Sequence, residues 1–314
     1  AVYYAPVFLL TGLGGSMNVI LQTSNYTKPL VYYGVIRAGL NVILDYVLIF
    51  GNWGFPALGI KGAAIGTTIA EYVGCVFICF VFFVSKKLPT RPSLKAVIAS
   101  KFSTYFNSAK LGVNTALEDF AWNLGNLCMI GILNTINDMA AGIYSIIFSV
   151  EVLAVVIVGA IGNGTMTLTS EATGKKDILQ FKGVCICAYS FSAVVAVIMV
   201  ILGIAIPEQI LSLFTTDQGI IASSAIYLLL IGINLFAKSA NIIVGNGIRG
   251  SGDTSWMLYT QMFGTVSIVA VAAFFVYVCK LGITGIFLAV IVDEAVRSII
   301  NLIHYLKICR KFEA

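Results

Sequence analysis

The stretch SKKLPTRPSLKAVIASK, residues 85–101, is the longest polar segment of the chain. It holds two prolines and five positive charges, Lys86, Lys87, Arg91, Lys95 and Lys101, and apolar runs bracket it on both sides. Working outward, three apolar runs precede it (about 2–22, 30–51 and 59–84). Six follow it (about 104–135, 141–168, 183–206, 221–248, 256–279 and 282–305). A bilayer core of about 30 Å takes roughly 20 apolar residues in a helix, a length these runs reach. Barrel strands would be about ten residues with strict alternation, which these runs lack. The fold class is therefore all-α and polytopic, with nine transmembrane helices. The organisation expected is a three-helix bundle over 1–84, a cytoplasmic basic linker over 85–101 and a six-helix bundle over 102–314.

Charge placement agrees. Lys28, the linker set, Lys175, Lys176, Lys182, Arg249 and the tail Lys307, Arg310 and Lys311 fall in every second gap. The alternate gaps have only Lys61 and Lys280. Cytoplasmic loops retain Lys and Arg, so the C-terminus is expected in the cytoplasm of a multi-pass protein of the cell (plasma) membrane. With 59% apolar residues, 11% charged residues and one His, a water-soluble protein is excluded. The net charge of +5 then reports topology, and no nucleic-acid partner is expected. The partners expected are the lipid bilayer and small solutes, for a monomer. Seven Cys lie within or at the ends of apolar runs without a second paired motif, so no disulfide, metal or cofactor is expected. Nine spans put the two ends on opposite sides, which leads us to expect further spans upstream of Ala1.

The two halves echo each other. Ser24, Thr27 and Tyr32 match Ser251, Thr254 and Tyr259 in spacing. Gly59-Ile60-Lys61-Gly62 matches Gly282-Ile283-Thr284-Gly285, and each is followed by an acid, Glu71 or Glu294, twelve residues after its first Gly. Both copies run in the same direction, as in transporters built from parallel repeats with a site near the midplane.

The segments LNVILDYVLIFG (40–51), LGIKGAAIGTTIAE (58–71), GNGTMTLTSEATGKKD (162–177) and IRGSGDTSW (248–256) resemble the multidrug and toxic compound extrusion transporters. The resemblance runs along essentially the whole chain and makes its spans the fourth to twelfth of that family's twelve, with two pseudo-symmetric bundles. It implies antiport that expels cationic or amphipathic organic compounds, driven by proton or sodium entry, with H+ or Na+ as the coupling ion.

An ionisable group inside a span costs about 2.5–3.5 kcal/mol on insertion scales, so each one asks for a partner or a wet cavity. Glu118 and Asp119 lie about 12 Å inward of Lys110. The resemblance implies ion coupling by an acid on this helix, and Glu118 occupies the matching place. Lys238 is about 16 Å from Arg249, near mid-membrane, where the family often carries an acid. Its expected partner is Glu118, as a stand-in for a bound cation or as a static ion pair. Glu71 and Glu294 sit about 18 Å from the outer ends of their helices. Arg297 follows Glu294 by three residues and neutralises it in the simplest reading, whereas Glu71 has no basic neighbour in sequence and points to a cavity role. Glu151 and Asn241 are further candidates for the cavity lining. Arg37, Asn41 and Asp45 recur every four residues on one helix face and read as a structural network with Arg297. His304 reads as an interfacial side chain.

A flippase for lipid-linked oligosaccharides, of related architecture, is the alternative; it would need a more cationic cavity for pyrophosphate. An enzyme would need a catalytic cluster, and the chain has none such as paired His. GIRGSGDT lacks the GK[ST] ending of a phosphate loop and follows an apolar run.

Overall fold

A computed structural model describes residues 5–24, 26–85 and 99–313; the core of the expected linker, 86–98, lies outside the described residues. Every regular element among them is helical. They form nine long helices and one short one: α1 (Ala5–Thr23), α2 (Lys28–Phe50), α3 (Ile60–Val84), α4 (Phe102–Asn134), α5 (Asp138–Lys175), α6 (Ile178–Ala205), α7 (Pro207–Ser212), α8 (Gln218–Gly250), α9 (Thr254–Ala273) and α10 (Gly282–Glu313). Six of them, α2, α3, α5, α6, α8 and α9, are long and apolar enough to cross a membrane by length and composition. Helices α4 and α10 are long as well, but they carry Glu118 and the Asp293–Arg297 group, and those charges build the site described below.

The apolar run at 141–168 is extended by α5 to Lys175 through a polar stretch. Thr165, Thr169, Ser170 and Thr173 each bond the carbonyl four residues back, so their hydroxyls are satisfied within the helix and the polar end stays helical. Helices α5, α6, α8 and α9 begin at Asn137, Asp177, Asp217 and Asp253, whose side chains accept backbone N–H bonds from the first turn.

The chain divides into two compact units, residues 1–101 and 102–314. In the first, α3 packs against α2 and α1. Gly62, Gly66, Ala70 and Gly74 recur every four residues along α3 and are all buried. Added methyls at Gly62 and Gly74 would run into Leu48 and Tyr33 of α2, so this small-residue stripe lets the two backbones meet closely.

In the second unit α8 is central, packed on α5, α6 and α10, while α4 pairs with α9. Three glycines near the end of α8 make its tightest approaches: a methyl on Gly245 would stand 2.7 Å from Met257 of α9, one on Gly247 2.9 Å from Cys185 of α6, and one on Gly250 would overlap Thr169 of α5. Outward faces are apolar, as Leu153, Val156 and Ile157 of α5 illustrate, and Glu151, Ala154 and Val158 point the other way.

Gly59 and Gly282, paired by the internal repeat, stand before α3 and α10 with φ of 55° and 54°. Both are in the half of backbone space that L side chains rarely adopt, and open space surrounds the position of a Cβ at each. Gly59→Ala and Gly282→Ala should each lower stability by about 1–3 kcal/mol through backbone strain alone. Thermal unfolding of the detergent-purified chain would check this, and two unchanged midpoints would refute it.

Candidate functional site

Most of the buried charged groups of residues 102–314 gather on one cavity. Helix α4 brings Glu118 and Trp122, α5 Phe148 and Glu151, α8 Lys238, Asn241 and Arg249, α9 Gln261, and α10 Glu294, Arg297 and Asn301. Within each helix these residues recur every three or four positions, or multiples of that, which puts them on one face. They line a cavity of about 390 Å³.

Lys238 does not pair with Glu118, as the sequence had suggested. Its Nζ donates to Glu151 Oε1 at 2.7 Å and stands 4.0 Å from Glu294 Oε1. Glu118 instead meets the Arg249 guanidinium. The reason is axial position. Arg249 starts from the last turn of α8, three turns and roughly 16 Å beyond Lys238, and its long side chain folds back into the bundle to reach α4. Arg249 also donates to Asn246 Oδ1 at 3.3 Å.

Glu294 is held from several sides. Asn241 Nδ2 donates to its Oε2 at 3.0 Å, and Arg297 Nη2 lies 3.2 Å from its Oε1. Arg297 spreads its remaining donors over Asp293 at 2.8 and 2.9 Å and Gln261 at 2.9 Å. Gly264 makes room for it, since a methyl there would overlap the Arg297 side chain. Glu151, Asp293 and Glu294 are all at or below 6% exposed, so removing either partner of these pairs leaves a charge without compensation.

A polar chain leads from this cluster toward the end of α10. Asn241 Oδ1 accepts from Asn301 at 2.6 Å, and Asn301 Oδ1 accepts from the Trp256 indole at 3.0 Å. The indole stacks on His304 with centroids 3.8 Å apart, and His304 Nε2 is 2.9 Å from Asp253, the residue that caps α9. The His304 expected at the interface is therefore packed and partnered.

Beside the charged cavity, and sharing Trp122 and Phe148 with it, is a mainly apolar one of about 450 Å³ that Tyr144 and Asn126 also line. The rings of Tyr144 and Phe148 stack with centroids 6.1 Å apart and 14° between planes.

Two of the candidate residues stay outside this cluster. Asp119 is exposed on another face of α4. Glu71 belongs to the first unit, where Arg37 of α2, distant in sequence, binds it across the helix pair. Asn41 donates to Thr67 at 3.2 Å in the same ladder, while Asp45 has a buried oxygen with no partner among the described residues. Sequence reading missed Asp293, Arg249, Gln261 and Asn301 as members. Asp293 was legible through its i,i+4 spacing to Arg297.

Long apolar helices around a buried, charge-paired cavity are the features of a polytopic membrane protein with an interior polar site. The MatE family model matches residues 114–275, just over half of the chain. The chain belongs to the MatE family, the multidrug and toxic compound extrusion transporters, which are not enzymes. It is 28% identical over 96% of its length to a probable multidrug resistance protein NorM of Thermotoga maritima. It is 26% identical over 91% of its length to the uncharacterized transporter YisQ of Bacillus subtilis. The chain spans 66% and 62% of the lengths of these relatives. In fold it is similar to an outward-facing multidrug resistance MATE family transporter of the MOP superfamily (TM-score 0.90, 18% identity, 100% of this chain and 70% of that one). It is also similar to a MATE in the bent conformation (TM-score 0.85, 19% identity, 99% and 69%).

Proposed function

We propose that the chain acts in secondary active antiport, exporting cationic or amphipathic organic compounds in exchange for protons or sodium by alternating access. The observation that carries this reading is the cavity lined by three buried carboxylates, Glu118, Glu151 and Glu294, and three bases, Lys238, Arg249 and Arg297, with a fourth buried acid, Asp293, bound to Arg297 just behind the wall. Charged groups are costly inside a membrane bundle, and a surplus acid next to a wet cavity is a place where cation binding biases one conformation. Glu118, Glu151 and Glu294 are the proposed coupling carboxylates, and Asn241 positions the last of them. The neighbouring aromatic cavity gives the flat, apolar part of an amphipathic solute a surface to stack on. Residues 1–84 and 102–314 are proposed as parts of two bundles joined by the basic segment 85–101. The Lys and Arg pattern supports a C-terminus in the cytoplasm and residence in the cell membrane, and a monomer is the working unit proposed.

Ethidium efflux from cells expressing the full protein, with the proton and sodium gradients collapsed separately, tests this. Loss of efflux with one gradient is the expected result; efflux that ignores both gradients refutes antiport. Three inward bases favour the second reading, a lipid-linked oligosaccharide flippase, more than the sequence did. Each of the three is already bound to a carboxylate, however, so none of these bases is left open in the cavity for pyrophosphate.

A further inference from the structure

We infer that Lys238 is a built-in cation of the site: its ammonium fills the place between Glu151 and Glu294 that a free alkali cation would take, so this chain excludes sodium there and couples to protons. The inference deepens the antiport reading, and its transport consequence rests on that reading.

The geometry is that of an occupied cation position. Lys238 Nζ is 2.7 Å from one buried carboxylate and 4.0 Å from another, the two coming from different helices. Tethering fixes the charge in place, whereas a mobile cation has to be stripped of water to enter. A second cation entering here would face the ammonium across a few ångströms with little water to screen it.

The charge count gives the proton its role. Around Lys238 stand Glu151 and Tyr144 from α5 and Asp293, Glu294 and Arg297 from α10; α9 contributes the neutral Gln261, and Glu118 with Arg249 forms a separate neutral pair at the same cavity. Three acids (Glu151, Asp293, Glu294) against two bases (Lys238, Arg297) leave one negative charge. One proton balances it, and needs no space of its own. Glu294 already accepts from Asn241 and Arg297, so Glu151 is the carboxylate whose bond to Lys238 changes most on protonation. A neutral Glu151 releases the ammonium toward Glu294.

Radiolabelled 22Na+ binding to the detergent-purified full protein tests this without requiring transport. Wild type should bind no sodium saturably at neutral pH, and Lys238→Gln, with the tethered charge gone, should bind it saturably and lose it on acidification. Lys238→Arg keeps the charge and should exclude sodium as wild type does. Saturable binding by wild type that Glu151→Gln abolishes overturns the inference, as does a folded, monodisperse Lys238→Gln that binds none. If Lys238→Gln fails to fold, Lys238→Met, neutral and of similar length, takes its place, and a folded Lys238→Met that binds no sodium overturns the inference. Dye efflux that ignores both gradients would sink the antiport reading and leave the ammonium assignment standing.

Discussion

Replacing Arg297 by Leu should lower the stability of the protein by about 3–5 kcal/mol, the range for breaking a buried pair from one side. This guanidinium is the shared partner of Asp293 and Glu294 and also bonds Gln261. Its loss leaves two carboxylates at 4% and 6% exposure with one base nearby, Lys238, which is already bound to Glu151. Arg297→Lys should recover only part of the loss, because an ammonium cannot reproduce the planar fork that serves three acceptors. Adding Asp293→Asn to Arg297→Leu should restore more, since it removes one of the orphaned charges. Thermal unfolding in detergent is the measurement, and an Arg297→Leu protein within about 1 kcal/mol of wild type would refute the shared-partner role.

The second large effect concerns the pair at the end of α8. Glu118 and Arg249 join helices 131 residues apart in sequence, with side chains 10% and 21% exposed. Glu118→Leu and Arg249→Leu should each cost about 3–5 kcal/mol, because each leaves the other partner's charge without its counter-ion in the bundle interior. The double replacement should cost clearly less than the sum of the two, as a hydrophobic pair fills the same space without the desolvation penalty. Strictly additive unfolding free energies would mean that the two groups are not coupled.

The spans were legible because lipid demands long apolar runs and the cytoplasm retains Lys and Arg. The repeat was legible too: Gly59 and Gly282, matched by spacing, share the same rare backbone geometry. Pairing within the site was less so. Glu151 and Lys238 could each be picked out as costly residues, yet nothing in either neighbourhood says that α5 and α8 bring them level. Axial register between helices comes from packing, here through small residues such as Gly250 against Thr169, and packing is not written in any single helix. Arg249 was misread for a related reason. Its backbone belongs to a loop-side turn, where basic residues mark topology, while its side chain is long enough to serve the interior. The aromatic cavity went unread because Trp122, Tyr144 and Phe148 look like ordinary apolar residues until two helices set them side by side.

The three glycines at the end of α8 have a mechanical consequence. Close contacts with α9, α6 and α5 fall on this helix end at different azimuths within less than two turns, the firmest at Gly250, which meets Thr169 and the Met166 carbonyl of α5. A rod seated in that way swivels or slides only if α5 shifts with it and the Met257 and Cys185 side chains give way. Close-packed interfaces of this kind shift between discrete arrangements and do not deform gradually. Within residues 102–314 the helical hydrogen-bond pattern is instead interrupted at the π-helical turn Phe274–Val278 and at Ile206 between α6 and α7, away from this tightly packed end.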